Sequence, residues 1–359
     1  MRRPSRRTAL LDSRATEEIF ELGRITCPSG DLVIVDGGYL GMWSGDGSPA
    51  GIDPERLGIH DPTIADDVVR AVDFEIVGPD AEAAARSLDR QPGTALYDIP
   101  ASGVTEMAGH FEKHCRERGL DARLEACNSR VAHRERARRC GAVGGGSFLA
   151  FGVPVVALGG LSRDRALPVL ATRVDDGSGW AEMWVRVTDG PVAKSVPVGD
   201  ICVDWARVAF GDADALGAWE HTRPMDGLAD VAFWGREQDE VAREFGAPRL
   251  GTVGEESAYG WTGLDITEAV EKAEALQSWK DAHPRLGLAF DLRPHSHHWQ
   301  AMREVRASAL EAGTVEVGGA KVLFSMTSWG DGWFPVFADL DGSGGLVAVR
   351  LSFTDEDAG

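Results

Sequence analysis

Asp331 sits between two glycines and two tryptophans, in Trp329-Gly330-Asp331-Gly332-Trp333. Flanking glycines let the backbone turn tightly and leave the carboxylate uncrowded. An apolar wall from Trp329 and Trp333 would push its pKa up toward the range of a general base. His295-Ser296-His297-His298-Trp299 is the one dense histidine cluster of the chain. At the start of a helix the dipole disfavours protonated imidazole, which leaves neutral rings able to act as bases or to bind zinc. In one pocket, Asp331 with His295, His297 and His298 would be a hydrolytic set, and Trp329, Gly330, Gly332 and Trp333 would line the ligand. Each feature also has a plainer reading. Asp-Gly is the commonest hairpin turn, and a histidine-rich helix start is often only a polar surface.

Other constellations are incomplete. Asp339-x-Asp341-x-Ser343-Gly344 begins like a calcium loop, but its twelfth position is Arg350 where glutamate is required, so a hairpin turn is expected. His110 and His114 lie four apart, with Cys115, Cys127, His133 and Cys140 near in sequence. That spacing fits no zinc pattern, and Glu112 is misplaced for a zinc protease helix. Gly144-Gly145-Gly146-Ser147 lacks the lysine of a phosphate loop, and no Gly-x-Ser-x-Gly elbow occurs. The residues therefore predict no cofactor and no metal.

The elements that must position these residues come twice. Pro28-Ser29-Gly30-Asp31-Leu32 is matched with Pro197-Val198-Gly199-Asp200-Ile201, and Tyr97-Asp98-Ile99 with Leu264-Asp265-Ile266. Leu167-Pro168-Val169 and Asp176-Gly177-Ser178-Gly179 recur as Phe334-Pro335-Val336 and Asp341-Gly342-Ser343-Gly344. The spacing is nearly constant: 169 residues from Asp31 to Asp200, 167 from Pro168 to Pro335 and 165 from Asp176 to Asp341. This predicts two tandem units of roughly 160 residues, a common domain size: a basic disordered tail over 1–19, a degenerate first repeat over 20–190 and a second over 191–359. Each should open with a strand, pass through two helices (Thr105–Arg118 and Ser129–Arg139; Asp265–Ala282 and Ser296–Ala312, the last ended by Gly313) and close with a β-hairpin. Glu237–Phe245 is an extra helix without a first-copy match. The result is an α+β fold with largely antiparallel sheets. The uncharged stretch Gly141–Leu161 is long enough to span a bilayer but is rich in glycine and carries Pro154, so two buried strands with a turn are expected there.

Composition narrows the partners. The 359 residues carry a formal net charge of −20, which disfavours nucleic acid and anionic membrane surfaces and permits a basic protein partner. Five scattered cysteines do not form a disulfide framework and suit a reducing cytoplasm. Ser5-Arg6-Arg7-Thr8-Ala9-Leu10-Leu11 runs into charged residues instead of the apolar stretch an export signal needs. Nothing in the sequence sets the oligomeric state.

The segment Ser328-Trp329-Gly330-Asp331-Gly332-Trp333-Phe334-Pro335-Val336, continuing through the hairpin to Phe353, resembles the C-terminal part of a bacterial family of unknown function. That family ends in a Trp/Phe-Gly-Asp-Gly-x-x-Pro-Val-Tyr/Phe segment, a turn and a valine-rich strand closed by phenylalanine. The opening Pro28–Asp36 is also similar to its start. The resemblance implies a fold and no activity. The first copy departs from it, with Asp164 kept and both glycines lost. The leading expectation is a non-catalytic cytoplasmic interaction or immunity-type protein with an acidic face. The alternatives are the hydrolase built on Asp331 and the histidines, and a small-ligand binder in a tryptophan-lined cleft between the copies.

Overall fold

The computed structural model describes residues 18–52, 61–88, 91, 93–174, 176–285 and 287–354. Most of the basic tail expected over 1–19 therefore lies outside the described residues. The first copy runs β1 (Phe20–Ile25), β2 (Leu32–Asp36), α1 (Pro62–Val69), β3 (Val72–Val77), α2 (Ala81–Leu88), β4 (Ala95–Ile99), α3 (Val104–Arg118), β5 (Arg123–Ala126), α4 (His133–Ala142), β6 (Gly146–Ala150), β7 (Val153–Leu158), β8 (Leu167–Arg173) and β9 (Trp180–Arg186). The second runs β10 (Lys194–Val203), β11 (Arg207–Asp212), β12 (Leu228–Gly235), α5 (Gln238–Phe245), β13 (Tyr259–Asp265), α6 (Ile266–Ala282), β14 (Leu288–Pro294), α7 (His297–Ala307), β15 (Ala312–Val317), β16 (Ala320–Met326), β17 (Gly332–Leu340) and β18 (Leu346–Ser352). Apart from α1 the two lists correspond element for element, and the fold is α+β. The helix over 238–245 does have a first-copy counterpart, α2. Its alanine-rich, short sequence hid it from the motif comparison.

The copies do not build separate sheets. One six-stranded sheet has the order β1-β8-β9-β18-β17-β10, and the other β15-β16-β11-β2-β7-β6. Each reads the same from either edge once copies are exchanged, with β9–β18 and β2–β11 paired antiparallel at the centre. The two sheets pack face to face. Between them lie Ile25, Ile34, Trp180, Phe210, Leu323 and Val349, all at most 1% exposed. Strand alternation sends the other face of the second sheet, with Val33, Val35, Ala209 and Phe324, against α4 and α7. Burying each such large side chain contributes about 1.5–3 kcal/mol, so the pairing of the copies is part of the core. Two three-stranded sheets, β4-β3-β5 and β13-β12-β14, stand apart, each covered by its own two helices.

The register of the repeat differs from the landmark reading in two places. Gly23 and Gly199 are the equivalent positions: both have φ near +155°, both sit at a bulge, and their neighbours Arg24 and Asp200 face Pro168 and Pro335. Asp200 therefore corresponds to Arg24, and Asp31 is not its partner. Likewise Asp98 (φ 55°) corresponds to Gly263 (φ 64°) and not to Asp265. The backbone N–H of each donates to a strand aspartate, Asp98 to Asp73 and Gly263 to Asp230, at 2.8 Å in both copies.

Several local expectations hold. Gly119 ends α3 in the left-handed conformation, Asp265 caps α6, and both Asp-Gly-Ser-Gly segments are hairpin turns in which the aspartate accepts from the serine N–H. The stretch over 141–161 forms β6 and β7. Gly313, however, does not end α7, which stops at Ala307. It lies in β15 where the strand abuts the helix, and a Cβ there would come within 2.6 Å of the Glu304 side chain.

Candidate functional site

The sequence-selected residues fall into separate surroundings. Asp331 is exposed, and its Oδ1 accepts from the Ala206 N–H at 3.1 Å. Ala206 has φ 53°, so this carboxylate steadies a left-handed residue in the β10–β11 turn. Trp329 is tied down by its Nε1, which donates to the Trp180 carbonyl at 2.6 Å. Trp333 is 65% exposed. Gly330 has φ 77°, as a tight turn requires, and Gly332 leaves room for the Phe334 ring, which a Cβ would meet at 2.9 Å.

The histidines lie elsewhere. Nδ1 of His297 accepts from the Glu220 N–H at 2.9 Å, and its ring stacks on Trp219. The same brace exists in the first copy, where Nδ1 of His133 accepts from Ser44 N–H at 3.2 Å and its ring packs on Trp43. Leu40-Gly41-Met42-Trp43 and Leu216-Gly217-Ala218-Trp219 are thus a repeated motif, each closed by a histidine at the start of α4 or α7. His297 is shared by both copies and holds the fold. His295 bridges Asp226 and Asp230 at 2.9 and 3.0 Å. These acceptors raise its pKa against the burial that would lower it. His298 stacks on His221, with ring centres 4.3 Å apart. None of the cavities described below is lined by both Asp331 and one of these histidines. Among the described residues no group of three or more His, Cys, Asp or Glu is placed to hold a metal ion.

Sequence reasoning missed a buried ionic cluster. Arg136, wholly buried, donates to Asp73 at 3.2 Å and to Asp98 at 3.0 Å, and Arg130 donates to Asp98 at 2.6 Å. Burial would raise the Asp98 carboxyl, but Arg136 and Arg130 outweigh it and hold it at about 2. Burial and the same two arginines push His133 down to about 3. The cluster joins β3 and β4 to α4 and, through the Leu149 carbonyl and Phe151 N–H, to β6 and its turn. It docks the small sheet on the large ones.

That docking leaves a groove. A cavity of about 780 Å³ is lined by Glu82, Arg86, Thr94 and Ser147 of the first copy and by Val198 and Gly199 of the second. A second, of about 310 Å³, shares Gln91 and Ser147 with it and runs past Tyr97 to Asp200 and Trp333. Together they form one groove on the seam between the copies. Its walls are α2 and the strands β4, β6 and β10, each strand the outermost of its sheet. Alternation along β10 puts Asp200 and Cys202 on one face, and Cys202 faces Trp333 across the ladder. Asp204 follows at that end. Its Oδ1 accepts from the Cys202 thiol at 3.6 Å and its Oδ2 from the Tyr39 hydroxyl at 2.6 Å. Burial, Asp204, Asp36 and Asp331 together push the Cys202 thiol up to about 11, so it is not a nucleophile at neutral pH. The groove thus ends on an exposed indole with Asp200, Asp204 and Asp331 around it.

No protein-family model, curated protein or solved structure matches this chain. Among the described residues no helix is long and apolar enough to cross a membrane.

Proposed function

We propose that this chain is a non-catalytic binding protein that takes an extended, basic segment of a partner protein into the groove between its two copies. One observation carries the reading: the groove is bounded by three outermost strands and ends at Trp333, amid Asp200, Asp204 and Asp331. Outermost strands offer unpaired backbone groups to an extended peptide. An exposed indole among carboxylates suits a lysine or arginine by cation–π and ionic attraction, and the net charge of −20 favours a cationic partner at long range. The reading unites the acidic interaction protein with the inter-repeat cleft, and it is compatible with a cytoplasmic setting. The binding reading is preferred to the hydrolase alternative because Asp331 and His297 each accept a backbone N–H, from Ala206 and Glu220.

The test is a titration of the full chain with synthetic extended decapeptides, one series rich in lysine and arginine and one in glutamate, followed by tryptophan fluorescence. Basic peptides should saturate, bind more weakly in high salt, and lose at least about tenfold in affinity, about 1.4 kcal/mol, on Trp333→Ala. Equal binding of both series, or full affinity of the Trp333→Ala protein, would sink the proposal.

A further inference from the structure

The two copies differ most sharply around the second residue of the paired helices. In the first copy this is Arg134, whose guanidinium is held by the two oxygens of Asp214 at 2.5 and 2.6 Å and by Asp46 at 2.5 Å. In the second copy the equivalent residue is His298. The position matching Asp214 is Gly38, since both cap the short 3-10 turn that carries the repeated Leu-Gly-x-Trp motif. The position matching Asp46, three residues after the motif tryptophan, is Thr222. Both carboxylates are therefore missing from the second site. A cavity borders each site: about 600 Å³ beside Asp46, Arg134 and Asp214 in the first copy, and about 170 Å³ in the second.

His221, Arg293, His298, Trp299, Met302 and Arg306 line the cavity of the second copy, with one carboxylate, Asp291. Arg207 lies behind this lining, its Nη1 3.5 Å from Met302 Sδ. Nδ1 of His298 and Nε of Arg207 are buried without a hydrogen-bond partner among the described residues. The charged groups that bear on His298 are His221, Arg207 and Arg306, all cationic or neutral. The nearby carboxylates are already engaged. Glu255 is bidentate to Arg293 at 2.8 Å and only 3.5 Å from Arg306, and Asp291 accepts from Arg293 Nε at 2.9 Å. Asp36, which acts on Arg207, is taken up by the N–H groups of Gly38, Asp204 and Trp205. Buried polar atoms without partners are costly, and an anion in the cavity would accept from Nδ1 of His298 when that nitrogen carries the ring proton.

We propose that this cavity binds a small organic carboxylate, its charged end beside His298 and Arg306 and its apolar end against Trp299. The space corresponds to about five or six water volumes, enough for an acid of a few carbons. The indole, Met302 and Leu292 favour an organic acid over inorganic phosphate. The first copy supplies from its own side chains the carboxylates that the second takes from a ligand.

Calorimetric titration of the full chain with propionate, and separately with inorganic phosphate, tests this. Propionate should bind once per chain. Thr222→Glu, which places a carboxylate where the first copy has Asp46, should weaken it at least about tenfold and leave the thermal midpoint unchanged or higher. Arg306→Met should weaken it comparably and carries the test if Thr222→Glu does not fold. Trp333→Ala, in the separate groove, should leave it unchanged. Absence of saturable propionate binding, binding indifferent to both Thr222→Glu and Arg306→Met, or saturation by phosphate alone would overturn the proposal.

Discussion

Asp36 and Asp212 end the two strands that pair across the centre of the molecule, and each holds the other copy's loop. Asp36 accepts from the N–H groups of Asp204 and Trp205 in the β10–β11 turn, both within 2.9 Å. Asp212 accepts from the N–H and hydroxyl of Ser29 in the β1–β2 turn, at 2.8 and 2.6 Å. The exchange is reciprocal, so it locks β2 against β11 from both ends. Replacing either aspartate by alanine removes the acceptor of two or more part-buried donors and should cost on the order of 3 kcal/mol, read from urea unfolding. For the same reason the two copies should unfold in a single transition. Fragments cut near residue 190 should aggregate, since each would expose the central strands. Two separate folded fragments would refute this.

Asp36 also predicts a pH effect. Burial raises its carboxyl to about 6, against the N–H groups that lower it. The folded state then binds the proton more tightly than the unfolded chain. Its contribution is fully present below about pH 4 and is lost as pH rises through about 6, up to about 3 kcal/mol in all. Across pH 4–6 the stability of the wild type should fall relative to Asp36→Asn, and parallel curves would show that Asp36 does not titrate there.

His133 acts in the opposite direction. Its folded pKa is depressed to about 3 by burial, then by Arg136 and Arg130. Its contribution is present above the unfolded value near 6.5 and is lost as pH falls toward 3, several kcal/mol in total. His133→Gln should be less stable at pH 7 yet flatter between pH 6.5 and 3. Acid unfolding followed by circular dichroism distinguishes the two.

Arg136 is the keystone of the buried cluster. Arg136→Met leaves Asp73 and part of Asp98 without their cation in the interior and should cost about 3–5 kcal/mol, with the β3–β5 sheet losing amide-exchange protection first. Protection lost evenly over the whole chain would mean that the cluster does not specifically dock that sheet.

Trp333 and Asp331 should behave as surface residues for stability. With its ring 65% exposed, Trp333→Ala should change unfolding free energy by no more than about 0.5 kcal/mol while removing binding of basic peptides. Asp331→Ala should cost about 1 kcal/mol for the lost Ala206 bond. A larger loss at Trp333 would mean that the indole serves the fold.

Local chemistry was legible along the chain. The capping of α6 by Asp265, the end of α3 at Gly119, the Asp-Gly-Ser-Gly turns and the α+β class all follow from residues near one another, because turns and caps are closed by side chains a few positions away. The existence of a repeat was legible too, but its register was not. Equivalence is set by which residues share a ladder position or a left-handed φ, and Asp98 matched to Gly263 looks like no match in letters. The interleaving of the copies, the histidine braces on Trp43 and Trp219, the Asp73–Asp98–Arg130–Arg136 cluster and both cavities depend on contacts between distant segments. Only packing decided them, since no local pattern says which strand lies beside β2 or which carboxylate a buried arginine will meet.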